Sequence, residues 1–148
     1  MKIIERSTDI DAPADIAWSI LNDLAAYDTW NPFMTIDGAL ARRGDRPTVT
    51  IRLPKRTMTF KPTVTDVVAG TSISWRGRFV LPGLFDGAHE LHVEDLGNGR
   101  CRFTQTETFR GVLLPFMKSV LRDTDAGFAA MNAALTSRAE QLAPTGAS

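Results

Sequence analysis

The most regular hydrophobic pattern in the chain lies near its C-terminal end and predicts one amphipathic helix over residues 115–142. Its buried stripe recurs at steps of three, four or seven, while charged residues fall on the other faces. The members of this stripe are Met117, Leu121, Thr124, Phe128, Met131, Leu135 and Leu142. An apolar stripe needs another layer to pack against, and the preceding sequence predicts that this layer is made of strands.

The N-terminal part of the chain predicts one strand followed by two short helices. Residues up to Ile10 alternate between two faces, as in a strand with one more buried side. Pro13 suits the first turn of a helix, in which its missing N–H would have no partner. A second short helix is expected through residues 24–27. It ends before 30–32, because a residue ahead of Pro32 disfavours helical angles.

Between residues 34 and 110 the pattern changes to alternating runs separated by turn residues. The clearest runs cover 48–53, 57–68, 72–79, 88–96 and 100–110. Short connections of this kind join neighbouring antiparallel strands, so the runs predict an antiparallel meander. No long helical pattern interrupts them.

The register of the last hairpin follows from its turn sequence, Gly97-Asn98-Gly99. If these residues form a three-residue loop, Leu96 pairs with Arg100. The pairs expected farther along the ladder are Glu94 with Arg102, Val93 with Phe103, Leu91 with Gln105 and His89 with Glu107. Opposite charges then meet on the outer face, and a histidine lies beside a carboxylate on the inner face.

The composition is that of an ordinary globular domain, with 43% hydrophobic and 23% charged residues in 148 positions. We therefore expect one domain over residues 1–143 and a flexible tail over 144–148. Seventeen basic residues balance seventeen acidic ones, so no net field attracts nucleic acid or an anionic bilayer. Both partners are disfavoured.

Cysteine use and the lengths of the hydrophobic runs indicate a soluble, cytoplasmic protein. Cys101 is the only cysteine, which excludes an internal disulfide and fits a reducing compartment. No apolar run approaches the roughly 20 residues of a membrane-spanning helix, and none near the N-terminus suits a signal peptide. We expect no stable membrane insertion, and a monomer or a weak homodimer.

Five segments spread over almost the whole chain carry a family resemblance. They are residues 12–21, 30–33, 87–91, 99–113 and 127–132. In this order they resemble the START/Bet v 1 (SRPBCC) superfamily, and within it the polyketide cyclase/dehydrase-related branch. The resemblance implies an α+β helix-grip fold, in which a curved seven-stranded antiparallel sheet wraps around the long C-terminal helix, with two short helices after the first strand. It also implies a cavity between sheet and helix that holds a small hydrophobic molecule.

Two polar residues on the last predicted strand point the same way as Phe103 and Phe109 and are the strongest candidates for chemistry. A carboxylate such as Glu107 costs several kcal/mol on an apolar face unless it is paired, hydrogen-bonded or protonated. Together with His89 and Gln105, it is interpreted as an anchor for a ligand's polar end. Two other interpretations stay open: a general acid/base couple of His89 with Glu107, or a purely structural hydrogen bond.

The predicted ligand-binding residues combine this polar group with an aromatic and aliphatic lining. They are Trp30, Phe33, Phe60, Trp75, Phe79, His89, Leu91, Phe103, Gln105, Glu107, Phe116, Val120, Phe128 and Met131. About half of such a lining is expected to touch a ligand and the rest to form ordinary core. We expect neither a cofactor nor a metal, since His89 and His92 are three apart on a strand and point to opposite faces.

Two segments between the predicted elements are unusually apolar, at residues 80–85 and 112–116. We expect them to pack against each other at the mouth of the cavity, with a dimer contact or a transient membrane contact as alternatives. Replacing Phe85 and Leu114 by serine is then expected to change ligand entry more than stability.

Three functions are compatible with these patterns. The first is a non-enzymatic binder or carrier of a small, mostly apolar molecule. The second is a polyketide cyclase, aromatase or dehydratase, in which His89 and Glu107 move protons. The third is a protein-interaction module that uses the apolar loops. No phosphate-binding loop, nucleophile elbow or metal cluster indicates another enzyme class.

Overall fold

The computed structural model describes residues 1–78 and 83–144. Its N-terminal elements are β1 (Lys2–Ile10), α1 (Ala14–Asn22) and α2 (Tyr27–Trp30). The central strands are β2 (Met34–Asp37), β3 (Thr48–Leu53), β4 (Arg56–Phe60), β5 (Thr63–Val68) and β6 (Ser72–Arg78). The chain closes with β7 (Asp86–Gly97), β8 (Arg100–Arg110) and the long helix α3 (Lys118–Leu142). Short 3-10 turns at Leu24–Ala26 and Leu114–Phe116 precede α2 and α3.

The strands form two antiparallel sheets, and α3 lies against them as the helix-grip fold predicts. The five-stranded sheet has the order β1-β8-β7-β6-β5, and the three-stranded sheet has the order β2-β3-β4. The predicted single seven-stranded sheet is therefore wrong in its count, because the described residues contain eight strands in two sheets. The run predicted at 57–68 is broken at Pro62, which has no N–H for the ladder.

The predicted register of the last hairpin is confirmed except at its turn. Gly97, not Leu96, pairs with Arg100, so Leu96 is an extra residue in β7. Asn98 and Gly99 both have positive φ, at 56° and 72°, as a tight two-residue hairpin turn requires. The four pairs predicted farther along the ladder all form.

The helices differ from the predictions at their ends. Residues 115–117 do not belong to α3, and Leu142 at its other end is 52% exposed, so the predicted stripe is too long on both sides. Helix α2 includes Trp30, whereas the prediction ended it earlier. Only Asn31, the residue directly before proline, adopts the extended conformation.

The two apolar loops are joined by backbone hydrogen bonds in their described parts. Val112 donates to the carbonyl of Gly83 (3.1 Å), and Leu113 donates to that of Leu84 (3.0 Å). This confirms that they pack together, although residues 80–82 lie outside the described part of the chain. Phe85 is not a loop tip, because it is 2% exposed and stacks on Phe109 at 5.3 Å between ring centroids. Its serine variant is therefore expected to destabilise the fold.

Candidate ligand-binding site

One row of residues across the five-stranded sheet carries the predicted polar group. Trp75 on β6 pairs with His89 on β7, which pairs with Glu107 on β8, which in turn pairs with Ile4 on β1. Side chains alternate along each strand, so all four point toward the same face. His92, three positions from His89, falls on the opposite face.

Aromatic rings cover His89 from two sides. The indole of Trp75 stacks on the imidazole at 4.7 Å between centroids, and the ring of Phe128 from α3 lies at 5.0 Å. Phe33 extends the cluster with an edge contact to Phe128 at 5.6 Å, and it fits there because Gly127 has no side chain. The side chain of His89 is 1% exposed. This aromatic lining therefore packs against itself as core.

A chain of amides fixes the orientation of His89. Asn132 on α3 donates through Nδ2 to the backbone carbonyl of Arg6 (3.2 Å), which can only accept. Its Oδ1 therefore accepts from Nε2 of Gln105 (2.8 Å), which leaves Oε1 of Gln105 facing Nε2 of His89 at 3.1 Å. Since that oxygen can only accept, Nε2 of His89 carries a proton.

Glu107 lies beside the other ring nitrogen of His89. Nδ1 of His89 is 3.5 Å from Oε1 of Glu107. Gly87 leaves room for this carboxylate, because a Cβ there would lie 2.7 Å from Oε2. The fold therefore brings a histidine and a carboxylate together in its interior, the pairing that a general acid/base couple requires.

The structure brings ten of the fourteen predicted site residues together in the interior. These are Phe33, Trp75, His89, Leu91, Phe103, Gln105, Glu107, Val120, Phe128 and Met131, all buried. Trp30 and Phe60 are half-buried at its border. Phe116 is 81% exposed and does not join them, and Phe79 lies outside the described residues.

An open groove runs along the edge of this interior, between β1 and the first half of α3. Its volume is about 890 Å³, and its apolar floor includes Ile4, Leu114 and Leu121. The charged residues along it are Lys2, Glu5, Arg6, Lys118, Arg122 and Asp125. Ile4 is also the neighbour of Glu107 in the row described above. Ile4 therefore separates the groove from the polar group.

One ion pair crosses the groove and ties the sheet to α3. The guanidinium of Arg6 makes two hydrogen bonds to Asp125, both of 2.8 Å. The hydrogen bond from Arg6, with a smaller Coulombic contribution, holds the pKa of the Asp125 carboxyl below its usual value. Both side chains are partly exposed, so solvent screens this interaction.

The sequence interpretation missed Asn132 and the groove residues of β1 and α3, although it placed Leu114 and Pro115 at the mouth of the cavity. Asn132 could have been found, because it lies four residues after Phe128 and three before Leu135, on the buried stripe of α3. The groove cations Lys2 and Arg6 could also have been found, because alternation places them on the same inner side of β1 as Ile4. None of the fourteen predicted residues lines the groove.

The remaining candidate groups do not add chemistry to the site. Cys101 is buried, and burial, with the carboxylates of Asp95 and Asp9, raises the pKa of its thiol to about 11, which disfavours the nucleophilic thiolate. Within residues 1–78 and 83–144, no cluster of three metal-ligating side chains is present. In the same part of the chain, no helix combines the length and apolar character needed to cross a membrane.

Solved structures with this fold share little sequence with the chain. The Zhui aromatase/cyclase from Streptomyces sp. R1128 matches with a TM-score of 0.80 at 15% identity, over 99% of this chain and 98% of that chain. A START superfamily protein from Mycobacterium smegmatis matches with 0.71 at 20% identity, over 95% and 98%. Norcoclaurine synthase from Thalictrum flavum, in complex with dopamine and hydroxybenzaldehyde, matches with 0.71 at 18% identity, over 97% and 89%. These likenesses show the fold alone.

The sequence itself matches one family over nearly its whole length. The family described as polyketide cyclase / dehydrase and lipid transport covers residues 1–144. No curated protein matches the chain. The superfamily resemblance drawn from the five segments is confirmed. The chain belongs to the polyketide cyclase/dehydrase and lipid transport family.

Proposed function

We propose that the protein binds one small, mostly apolar molecule between the five-stranded sheet and α3, and that it carries this molecule without transforming it. The observation that supports this most directly is the groove of about 890 Å³ with a floor that includes Ile4 and Leu121. A groove of this size lies in the range of ligand pockets, which are mostly apolar with a few fixed polar groups. Lipid transport is one of the roles that the family description names.

The polar group of the interior, beyond Ile4, is the proposed partner for a polar group at the inner end of a ligand that carries one there. Glu107 is the strand neighbour of Ile4 and keeps 6% of its surface exposed. A ligand group that passes Ile4 meets this carboxylate first, with His89 and Gln105 behind it. The aromatic rings of Trp75 and Phe128 cover His89, so a ligand reaches the histidine only if Phe128 moves.

The buried, neighbouring side chains of His89 and Glu107, 3.5 Å apart, support a second candidate function, a proton-transfer enzyme of the cyclase or dehydratase type acting on a carbonyl compound. One solved structure of this fold is an aromatase/cyclase. Glu107→Gln separates the two candidates. A catalyst loses turnover of a carbonyl substrate and keeps its affinity, whereas a carrier shows no turnover before or after the change.

Native mass spectrometry of the purified protein tests the proposed carrier function. We expect an adduct of a hydrophobic molecule, released on denaturation, that is much reduced in Leu121→Ala. Leu96→Ala is the matched control, because it shortens a half-buried leucine on β7, outside the groove lining. An adduct-free protein that takes up no added apolar probe contradicts the proposal. Equal loss in both variants contradicts the placement in the groove.

A further inference from the structure

We infer that the ligand of the groove is an anionic amphiphile: a single apolar chain with one carboxylate, as in free fatty acids. The chain lies on the apolar floor between β1 and α3, and the carboxylate lies at the cationic rim formed by Lys2, Lys118 and Arg122. This inference rests on the proposed function, since it names the class of molecule that the same groove takes.

The rim of the groove has an excess of positive charge, with four basic and two acidic residues in its lining. Of the charges along it, Arg6 is paired with Asp125. Glu5 accepts a hydrogen bond from Thr106, on the other face of the sheet. Among the described residues, no carboxylate lies within 4 Å of the ammonium or guanidinium nitrogens of Lys2, Lys118 or Arg122. The charge of Lys2 reaches Asp125 and helps to lower the pKa of its carboxyl. Lys118 and Arg122 are therefore the two cations most available to a bound anion.

The positions of two of these cations on α3 are unfavourable without an anion. Lys118 and Arg122 are four residues apart, so they are neighbours on the helix surface, where like charges repel. Lys118 also lies in the first turn of α3, where the helix dipole disfavours a cation. A carboxylate bound between the two side chains offsets both effects. The arrangement is therefore one that favours an anionic partner over a neutral one.

The apolar half of the groove matches the other half of an amphiphile. Leu114 and Leu121 face Ile4 across the groove. Phe116, beside the groove residue Pro115, is 81% exposed. Exposed apolar surface next to a groove is typical of a binding site. Apolar floor and cationic rim together fit a molecule with one apolar and one negative end.

The shape of the site favours a single molecule over a membrane or an acidic protein. The apolar floor lies in a concave space between β1 and α3, where Ile4 and Leu121 are 6% and 9% exposed. A bilayer or a folded partner contacts the rim but not such a recessed floor. A flexible chain reaches it. We therefore assign the groove to a monomeric amphiphile.

Titration calorimetry with three probes of equal chain length tests the assignment: dodecanoate, dodecanol and dodecyltrimethylammonium, each below its micelle concentration. We expect dodecanoate to bind roughly tenfold more tightly than dodecanol, because charge-assisted hydrogen bonds are about twice as strong as neutral ones and affinity depends exponentially on that difference. The cationic probe is expected to bind most weakly. Higher salt should reduce only the advantage of dodecanoate.

Paired variants locate the effect. Lys118→Gln with Arg122→Gln should lower dodecanoate affinity roughly tenfold and leave dodecanol affinity unchanged. Arg76→Gln with Arg78→Gln removes the same charge from exposed positions on β6 and should change neither. Leu121→Ala should weaken both probes, because each uses the apolar floor.

The outcomes separate this inference from the proposed function. If dodecanol binds as well as dodecanoate, or both double variants behave alike, the anionic class is wrong and the carrier function stands. If none of the probes binds, both proposals fail. Binding of anionic vesicles without binding of monomeric dodecanoate overturns the assignment in favour of a membrane surface.

Discussion

The space between the sheet and α3 consists of two regions that differ in packing and polarity. In the interior, the rings of Trp75 and Phe128 lie 4.7 and 5.0 Å from that of His89, and Gln105 donates a hydrogen bond to Asn132. At the sheet edge, Ile4 and Leu121 face a groove of about 890 Å³. The interior resembles a protein core, whereas the groove has open apolar surface and uncompensated cations.

The difference shows that an inward-facing aromatic lining is not the same as ligand space. Both regions lie against α3, but the interior faces β6, β7 and β8, whereas the groove lies beside β1 at the sheet edge. Large rings fill the centre of the sheet, and smaller aliphatic and charged residues leave the edge open. We therefore expect changes in the interior to act mainly on stability and changes in the groove to act mainly on ligand affinity.

The largest effect is expected from truncating the ring at the centre of the interior. Phe128→Ala removes a fully buried side chain that contacts Phe33 and His89, so the free energy of unfolding should fall by about 3–5 kcal/mol. Leu114→Ala, at the half-buried groove, should cost about 1 kcal/mol or less. Urea denaturation measures both. Similar losses in the two variants would remove the distinction between a packed interior and an open groove.

Much of this architecture follows from local sequence patterns. The hairpin ladder from His89 to Arg102 was predictable, because side chains alternate with period two and Asn98-Gly99 marks the turn. The extra residue Leu96 was not, because a bulge changes the pairing by one position without altering the hydrophobic pattern. The division into two sheets depends on the break at Pro62, which lies inside an apparently continuous run.

The site was predictable only in part, for a different physical reason. Alternation on β7 and β8 correctly placed His89, Gln105 and Glu107 on one face. Whether the surrounding rings fill the space or leave it open depends on how β1 and α3 approach each other, which no local pattern specifies. Asn132 connects these elements through contacts more than 100 residues apart in sequence, to Arg6 and Thr8.

An intermediate effect on the free energy of unfolding is expected in the chain of hydrogen bonds that runs from Arg6 through Asn132 and Gln105 to His89. This chain joins the two regions. Asn132→Leu leaves the amide of Gln105 without its acceptor, and such a buried unsatisfied group costs about 1–3 kcal/mol. The measurement specific to these hydrogen bonds is the tautomer of His89, determined by nitrogen NMR. In the unchanged protein Nε2 carries the proton, and the variant should lose this preference because Gln105 is free to rotate.

The control for this prediction is Asn22→Leu at an exposed position at the end of α1. It should change neither the unfolding free energy nor the His89 signals. If His89 in the unchanged protein carries its proton on Nδ1 alone, the hydrogen-bond chain is assigned in the wrong direction.

The smallest effect on stability is expected from the ion pair that crosses the groove. Hydrogen bonding to Arg6 lowers the pKa of Asp125, so the folded state binds this proton more weakly than the unfolded chain does. The pair therefore stabilises the fold above the ordinary carboxyl pKa of about 3.9 and loses this contribution as the pH falls below it. Asp125→Asn should lower the melting temperature slightly at neutral pH and not at all in acid, because both side chains are partly exposed.

The same variant sharpens the comparison between the regions, since it changes the charge of the groove without touching the interior. Removing the carboxylate releases Arg6, so the groove gains one available cation while Phe128, His89 and Gln105 keep their contacts. Affinity for dodecanoate should rise roughly twofold to fivefold, and affinity for dodecanol should stay the same. Calorimetry at low and high salt measures the gain, which salt should suppress. Two results would contradict the role assigned to Asp125: a melting-temperature difference that grows as the pH falls, or a loss of dodecanoate affinity. Neither follows if the carboxylate only neutralises Arg6.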